Sequence, residues 1–445
     1  MTPEAPGNGG GTVVIGNACV LPLDDAHTVI EPGHVIVRGD RIHAVGEGAA
    51  PAEPVPAGAE QVDAAGGLVM PGFVNTHGHL AMSLFRGLGD DEPDRLRRYI
   101  FPLEKRFVGP EMVRLGTALA AIELIEAGVT TAADMYYFEA AVAATLGTAG
   151  LRALVGQTVV DFPAPDAASP DDSLARTETL IADWGGHDRI RPSVAPHAPY
   201  TTDRPVLERC RDLARRAGVM TQLHLAEMDF EDSWVRERHG TGPVAFIGDL
   251  GMLGPGLVAA HCLHLDDADI ALLADSRTGV AHNAGANAKG GKGIARITDL
   301  MAAGAVVGLG TDGPMSGNTI DLFAQMDLVA KLQKLRALDR QVMTAREVVR
   351  LATRGGADVL GLGGQVGRLA PGMAADLIVI DRDRPRWTPR HDPYAALVYA
   401  ARPDDVRDTM VAGRWLMRGR RVLTLDRRAI LEEADSFGRR LRAAL

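Results

Sequence analysis

The sequence predicts an α/β protein, a (β/α)8 TIM-like barrel with a small composite β-sandwich built from the N- and C-terminal segments. Three observations carry this expectation. Between residues 68 and 363 short apolar strands alternate with longer amphipathic stretches, as a parallel sheet with crossover helices requires. Residues 1–67 and 364–445 return to β texture on either side of that alternation. Side chains able to bind a metal fall at the ends of successive strands, and barrel active sites gather at strand C-termini.

In the first segment "TVVIGNACVL" and "HVIVRGDRIHAVG" are alternating runs, and Gly39-Asp40 breaks the second as a tight hairpin turn would. The Pro/Ala/Gly-rich stretch 47–60 is a surface connector of this β module. Within 68–363 the expected strands include "IRPSVAPH", "VMTQLHL", "LVAAHCL", "TGVAHN" and "AVVGLGTDG". "RPVLERCRDLARRAG" and "DDADIALLADS" have helical spacing and lie between them. After 363, "GRLAPGMAADLIVID" and "DTMVAGRWLMRGRRVLT" supply the other half of the sandwich, and "RRAILEEADSFGRRLRAAL" a final surface helix.

Composition narrows the function classes. The 445 residues are 46% apolar and 23% charged, enough for a sizeable core. A formal charge of -10 and the lack of a clustered Lys/Arg stripe argue against nucleic acid as a partner. The start "MTPEAPGNGGG" does not read as a leader, and no run has the apolar length of a membrane span, so the expected location is the cytoplasm and no membrane partner is expected. Cys19, Cys210 and Cys262 lie far apart, which leaves histidine and carboxylate as the metal-binding chemistry.

"VMPGFVNTHGHL" places His77 and His79 two apart, on one face of an extended chain. Further along, strand ends carry His197 in "VAPHAPYT", His224 and Glu227 in "QLHLAEMD", His261 in "AAHCLHL" and Asp312 in "GLGTDGPMS". Each alone reads better as an ordinary hydrogen-bonded polar residue; the ordered set does not. A divalent metal held by three neutral imidazoles and one carboxylate leaves room for water, whose pKa it lowers toward neutrality. Asp312 can ligate and accept the water proton, and His261 can orient the nucleophile. Glu227, three residues beyond His224, is placed to shuttle a proton to a ring nitrogen or leaving amine.

The motifs "PGFVNTHGHL", "HAPYTTD", "HLAE", "AHCLHL" and "GTDGPMSGNTIDLF", in this order, resemble the amidohydrolase superfamily. Within it they look most like the 5′-methylthioadenosine/S-adenosylhomocysteine deaminases and related aminohydrolases. The resemblance implies one divalent metal, zinc or iron, on His77, His79, His224 and Asp312. It implies hydrolytic deamination of an adenine-type nucleoside as a small-molecule substrate, with substrate contacts from Glu104, His197 and Ser316, and a homo-oligomer. Binuclear relatives add a bridging lysine, and residues 135–223 contain none.

Departures sharpen these expectations. Before Glu104, "EPDRLRRYIFPLE" has Arg95, Arg97, Arg98 and Tyr99 but no tryptophan to pack on the base. Gln157 and Ser173 stand where some relatives place arginines for an amino-acid tail, which disfavours S-adenosylhomocysteine. "HNAGANAKGGKGIA" is rich in Gly and Lys, so Lys289 or Lys292 either meets an oxygen-rich substrate or is simply solvated. Asp134 either lines the pocket or caps a helix, while His264 and His282 suit hydrogen bonding behind the ligands.

Rival classes are an NAD-binding oxidoreductase, suggested by "GLGTDG", and a scaffold without chemistry. The P-loop-like "GANAKGGKG" fails, with Ala286 and Gly293 at its key positions. An aminohydrolase or chlorohydrolase acting on guanine, pterin or triazine rings keeps the fold and changes the substrate.

Overall fold

The computed structural model describes residues 11–51, 55–92 and 96–444. The first ten residues, the middle of the connector and Arg95 lie outside them.

Eight parallel strands form one sheet: β1 (Phe73–Asn75), β2 (Val129–Tyr136), β3 (Arg152–Val159), β4 (Ile190–Pro196), β5 (Met220–Leu225), β6 (Leu257–His261), β7 (Gly279–His282) and β8 (Val306–Leu309). They neighbour one another in chain order, and Thr76 N–H donates to Leu309 O at 3.0 Å to bring β1 against β8. The expected (β/α)8 barrel is therefore present. Its strands are buried on both faces, as a sheet lined by side chains inside and helices outside demands.

The helices follow from local rules. Arg204–Ala217 buries Val206, Leu207, Cys210, Leu213 and Ala214, one stripe at helical spacing. Asp203 accepts from Val206 N–H at its start, and Gly218 ends it in the left-handed conformation. Asp267–Ser276 opens with a reciprocal cap between Asp266 and Asp269. The terminal helix Arg427–Ala444 lies at the surface beside Pro110–Glu126.

The outer segments meet as expected, and their nine strands are joined into one continuous mixed sheet. Its strands are Thr12–Val20, Ile30–Arg38, Arg41–Glu47, Glu60–Asp63, Leu68–Pro71, Leu377–Ile380, Val406–Val411, Arg414–Arg418 and Arg421–Val422. The halves join where Leu68–Pro71 pairs antiparallel with Leu377–Ile380. Leu68–Pro71 thus belongs to this sheet, and the barrel begins at Phe73. Alternation explains the arrangement: Val69, Leu377 and Val379 enter the core of the outer sheet, whereas Leu68, Met70, Ile378 and Ile380 enter the barrel core.

One buried ion pair ties the two bodies. Arg152, opening β3, donates from Nε to Asp376 Oδ2 at 2.9 Å and from Nη2 to Oδ1 at 3.1 Å. Asp376 also accepts from Ala412 N–H at 2.8 Å. Arg152→Met leaves that carboxylate buried without its cation, and the expected loss is about 3–5 kcal/mol, read as a lowered melting temperature. An unchanged melting temperature contradicts the assignment.

Candidate active site

The C-terminal ends of β1, β5, β6 and β8 bring His77, His79, His224, His261 and Asp312 into one cluster, all buried but the half-buried His79. His79 Nε2 lies 3.3 Å from Asp312 Oδ1, and His77 Nε2 lies 3.8 Å from the same oxygen. His79 Nε2 and His224 Nε2 are 3.3 Å apart. The backbone bends sharply there: His261, Cys262, Asp312 and Ala226 all have left-handed φ without being glycine. Such conformations cost energy and persist where surrounding structure holds them, commonly at functional sites.

The His79 and His224 rings are each aimed by a bond on the far nitrogen. His79 Nδ1 meets Met135 O at 2.6 Å, and His224 Nδ1 meets His197 O at 2.8 Å. A carbonyl only accepts, so both Nδ1 atoms carry a proton, and in the neutral rings both Nε2 atoms present lone pairs. Two lone pairs at 3.3 Å repel, and both His77 nitrogens are buried without a hydrogen-bond partner. A divalent cation resolves both, so the donor set fits a metal.

The electrostatics agree. Burial opposes charge on His79, but Asp312, which accepts from Nε2–H when the ring is charged, outweighs it and lifts the pKa to about 9. Burial also opposes charge on Asp312, whose carboxyl is nevertheless held well below the usual range by the hydrogen bond from His79 and the neighbouring imidazoles. Burial and the other rings push His77 and His224 well down. The cluster favours a positive charge beside Asp312.

Glu227 is buried beside His261, with Oε1 3.6 Å from His261 Nε2 and hydrogen-bonded to Lys292 Nζ. Burial alone would raise its pKa, but His261, Lys292 and His224 together bring it to about 2. Its backbone is fixed by Glu231, whose Oε1 accepts from Ala226 N–H at 2.8 Å and Oε2 from Glu227 N–H at 2.9 Å. His261 Nδ1 meets Asn287 Oδ1 at 2.9 Å, so its Nε2 faces the site. Thr311 and Asn75 brace the ends of β8 and β1, through Asn75 Nδ2 to Thr311 Oγ1 at 2.8 Å.

The expected substrate residues take different positions. Glu104, in helix Phe101–Phe107, is buried and accepts from Tyr136 O–H at 2.9 Å. Burial raises its pKa to about 7 against the pull of that bond. Tyr136 also lies 6.2 Å from the His79 ring, so Glu104 stands one side chain away from the cluster. His197 is half-buried, its ring 4.7 Å from that of His224 and its Nδ1 2.9 Å from Thr201 Oγ1. Burial lowers its pKa to about 4. Ser316 is half-buried in the short helix Pro314–Gly317 after β8. Gln157 is buried at the end of β3, where its amide donates to Asp166 at 2.9 Å.

Several second-tier expectations change. Asp134 neither caps the next helix nor stands at a strand end: it is buried within β2 and accepts from Leu80 N–H at 2.5 Å, fixing the turn after His79. His264 is exposed, which removes it from any role behind the ligands, whereas His282 is fully buried near His261. The "GLGTDG" glycines serve packing. A Cβ at Gly310 would stand 2.3 Å from Asn283 Oδ1, and one at Gly308 2.7 Å from Thr76 Cγ2. Sequence reasoning missed Asn287, Glu231 and Tyr136, because their roles come from neighbours far along the chain or across a turn.

Comparison with known proteins agrees with this geometry. The amidohydrolase family model matches residues 68–416.

The chain belongs to the amidohydrolase family.

Among relatives of this amidohydrolase is the 5-methylthioadenosine/S-adenosylhomocysteine deaminase of Syntrophobacter fumaroxidans, 43% identical over 96% of this chain and 97% of the relative. The 5′-deoxyadenosine deaminase of Methanosarcina mazei is 35% identical over 96% and 98% of the two chains. A crystal structure of an adenosine deaminase from Xanthomonas campestris with bound zinc superposes with a TM-score of 0.94 at 34% identity, covering 97% of this chain and 98% of its own. Among the described residues no helix of this amidohydrolase is long and apolar enough to cross a membrane.

Proposed function

We propose that this amidohydrolase is a metal-dependent hydrolytic deaminase of an adenine-type nucleoside, with zinc as its cation on His77, His79, His224 and Asp312. The observation that carries the proposal is the joint placement of that donor cluster, the Glu227–His261 pair against it, and Glu104 one side chain away. Three imidazoles with a carboxylate are ordinary donors for zinc, and iron accepts the same set. When bound, such an ion supplies Lewis acidity that makes water a nucleophile near neutral pH.

The chain's own residues do the rest. His261, fixed by Asn287, orients the attacking water toward the ring carbon that bears the amino group. Glu227 takes a proton from that water and delivers it to the adjacent ring nitrogen. The carbon–nitrogen bond then breaks, and the amino group leaves as ammonia with a second proton from the water. Glu104, its carboxylate steadied by Tyr136, accepts the ribose hydroxyls. Residues 157 and 173 are not arginines, which supports substrates without an amino-acid tail. The three buried free cysteines support a cytoplasmic location.

Ammonia release by metal-replete protein tests this across methylthioadenosine, adenosine, 5′-deoxyadenosine, guanine and s-triazines. Release from the adenine nucleosides is expected. Release confined to guanine or the triazines replaces the proposal with the other ring class.

Glu104 supplies a pH signature in the same assay. Its carboxyl is neutral below a pKa of about 7 and ionised above it; the ionised form accepts on both oxygens, whereas protonation turns one of them into a donor and weakens its hold on the hydroxyls. KM for a nucleoside is therefore expected to fall as pH rises through about 7. Glu104→Ala should raise KM for nucleosides far more than for free adenine. Equal effects on both remove ribose recognition from Glu104.

A further inference from the structure

Among the described residues Lys292 is the one ion-pair partner of Glu227 that the proposed mechanism leaves without a task. Its Nζ donates to Glu227 Oε1, the oxygen that also faces His261. The two neighbours lie on different sides in one respect: the His261 side chain is 1% exposed, that of Lys292 20%. His261 therefore marks the metal side of Glu227 and Lys292 the open side.

The loop that carries Lys292 is fastened. Lys292 N–H donates to Asn287 O at 3.0 Å, and Asn287 is the residue that holds His261. Lys289 Nζ reaches Asp90 Oδ1 at 2.5 Å and Asn318 Oδ1 at 2.8 Å. The lysine stem lies across Gly290, where a Cβ would stand 3.1 Å from Lys292 Cε and 3.3 Å from Cγ. When a substrate nitrogen takes its place on Glu227, the ammonium can withdraw only as far as its own side chain allows.

The ring nitrogen that Glu227 serves has two ring neighbours. One is the amino-bearing carbon, C6, which faces the imidazoles. The other is C2, which then faces the open side and Lys292. We propose that Lys292 reads the C2 edge, so that the enzyme also deaminates 6-aminopurine nucleosides bearing an oxygen at C2. The inference rests on the adenine-nucleoside reading above. An oxygen there accepts a charge-assisted hydrogen bond from the ammonium, whereas a C2 amino group presents N–H donors to a cation. The reaction consumes one water: the C6–N bond breaks, a C6–O bond forms, and a 2,6-dioxopurine nucleoside remains. One water proton leaves with ammonia and the other stays on the ring.

The test measures kcat/KM by ammonia release from 2-hydroxyadenosine, adenosine and 2-aminoadenosine, with metal-replete wild type, Lys292→Met and Lys292→Arg. Wild type is expected to accept 2-hydroxyadenosine. Lys292→Met should lower its ratio to adenosine by at least about tenfold, the scale of one charge-assisted hydrogen bond, and raise the 2-aminoadenosine ratio. Lys292→Arg, which keeps the charge and donors, should restore the first ratio to within a few-fold. Wild type that deaminates adenosine but not 2-hydroxyadenosine overturns the role of Lys292 and leaves the deaminase intact. So do unchanged ratios in Lys292→Met. No ammonia from any of the three overturns both.

Discussion

Glu227→Gln is expected to keep its metal and lose about 10²–10⁴-fold in kcat, the range set by a positioned acid–base group. The amide has the shape of the carboxyl and still accepts from Lys292, so the loop over the site should stay in place. It cannot take a proton from water and hand it to a ring nitrogen. Glu227 faces His261 at 3.6 Å, and the lone pairs of His79 and His224 point toward each other instead. Metal content per chain and ammonia release, measured on the same sample, separate the two effects. Full turnover removes the shuttle from Glu227, and loss of the metal makes it a ligand.

Asp312→Ala is expected to lose both metal and turnover, with kcat/KM down by about three orders of magnitude or more. Among the described residues Asp312 is the one carboxylate within 4 Å of His77 and His79, at 3.8 and 3.3 Å. Without it, the imidazoles lose the carboxylate that completes the donor set, and several kcal/mol of Lewis-acid stabilisation of the reaction go with the metal. Excess zinc should not restore activity. The fold should persist, because the bond from Thr311 N–H to Asn75 Oδ1, at 3.1 Å, holds the end of β8 independently of the Asp312 side chain. A variant that retains stoichiometric metal and wild-type turnover contradicts the role given to Asp312.

Much of the site was legible because barrels put chemistry at one kind of place. A parallel strand followed by a helix delivers its last residues to the same rim every time, so His77, His79, His224, His261 and Asp312 could be read together from four motifs. Other features resisted. Asp134 looked like a pocket or cap residue, yet its strand runs to Tyr136 and buries it under Leu80. The "GLGTDG" glycines matched a phosphate motif although they answer steric demands from Thr76 and Asn283, more than 25 residues away in each case. The outer β segments showed their alternation clearly. That their strands form one continuous sheet depends on the pairing of Leu68–Pro71 with Leu377–Ile380.

The amino-acid order alone determined the alternating strands and helices, the set of metal-competent side chains and the proton-shuttle glutamate, since periodicity and strand ends are local properties of the chain. Tertiary structure decided which lone pairs confront each other, what steadies Glu104 and where Lys292 rests. Those depend on distances of a few ångströms between segments up to a few hundred residues apart, fixed only when the barrel closes.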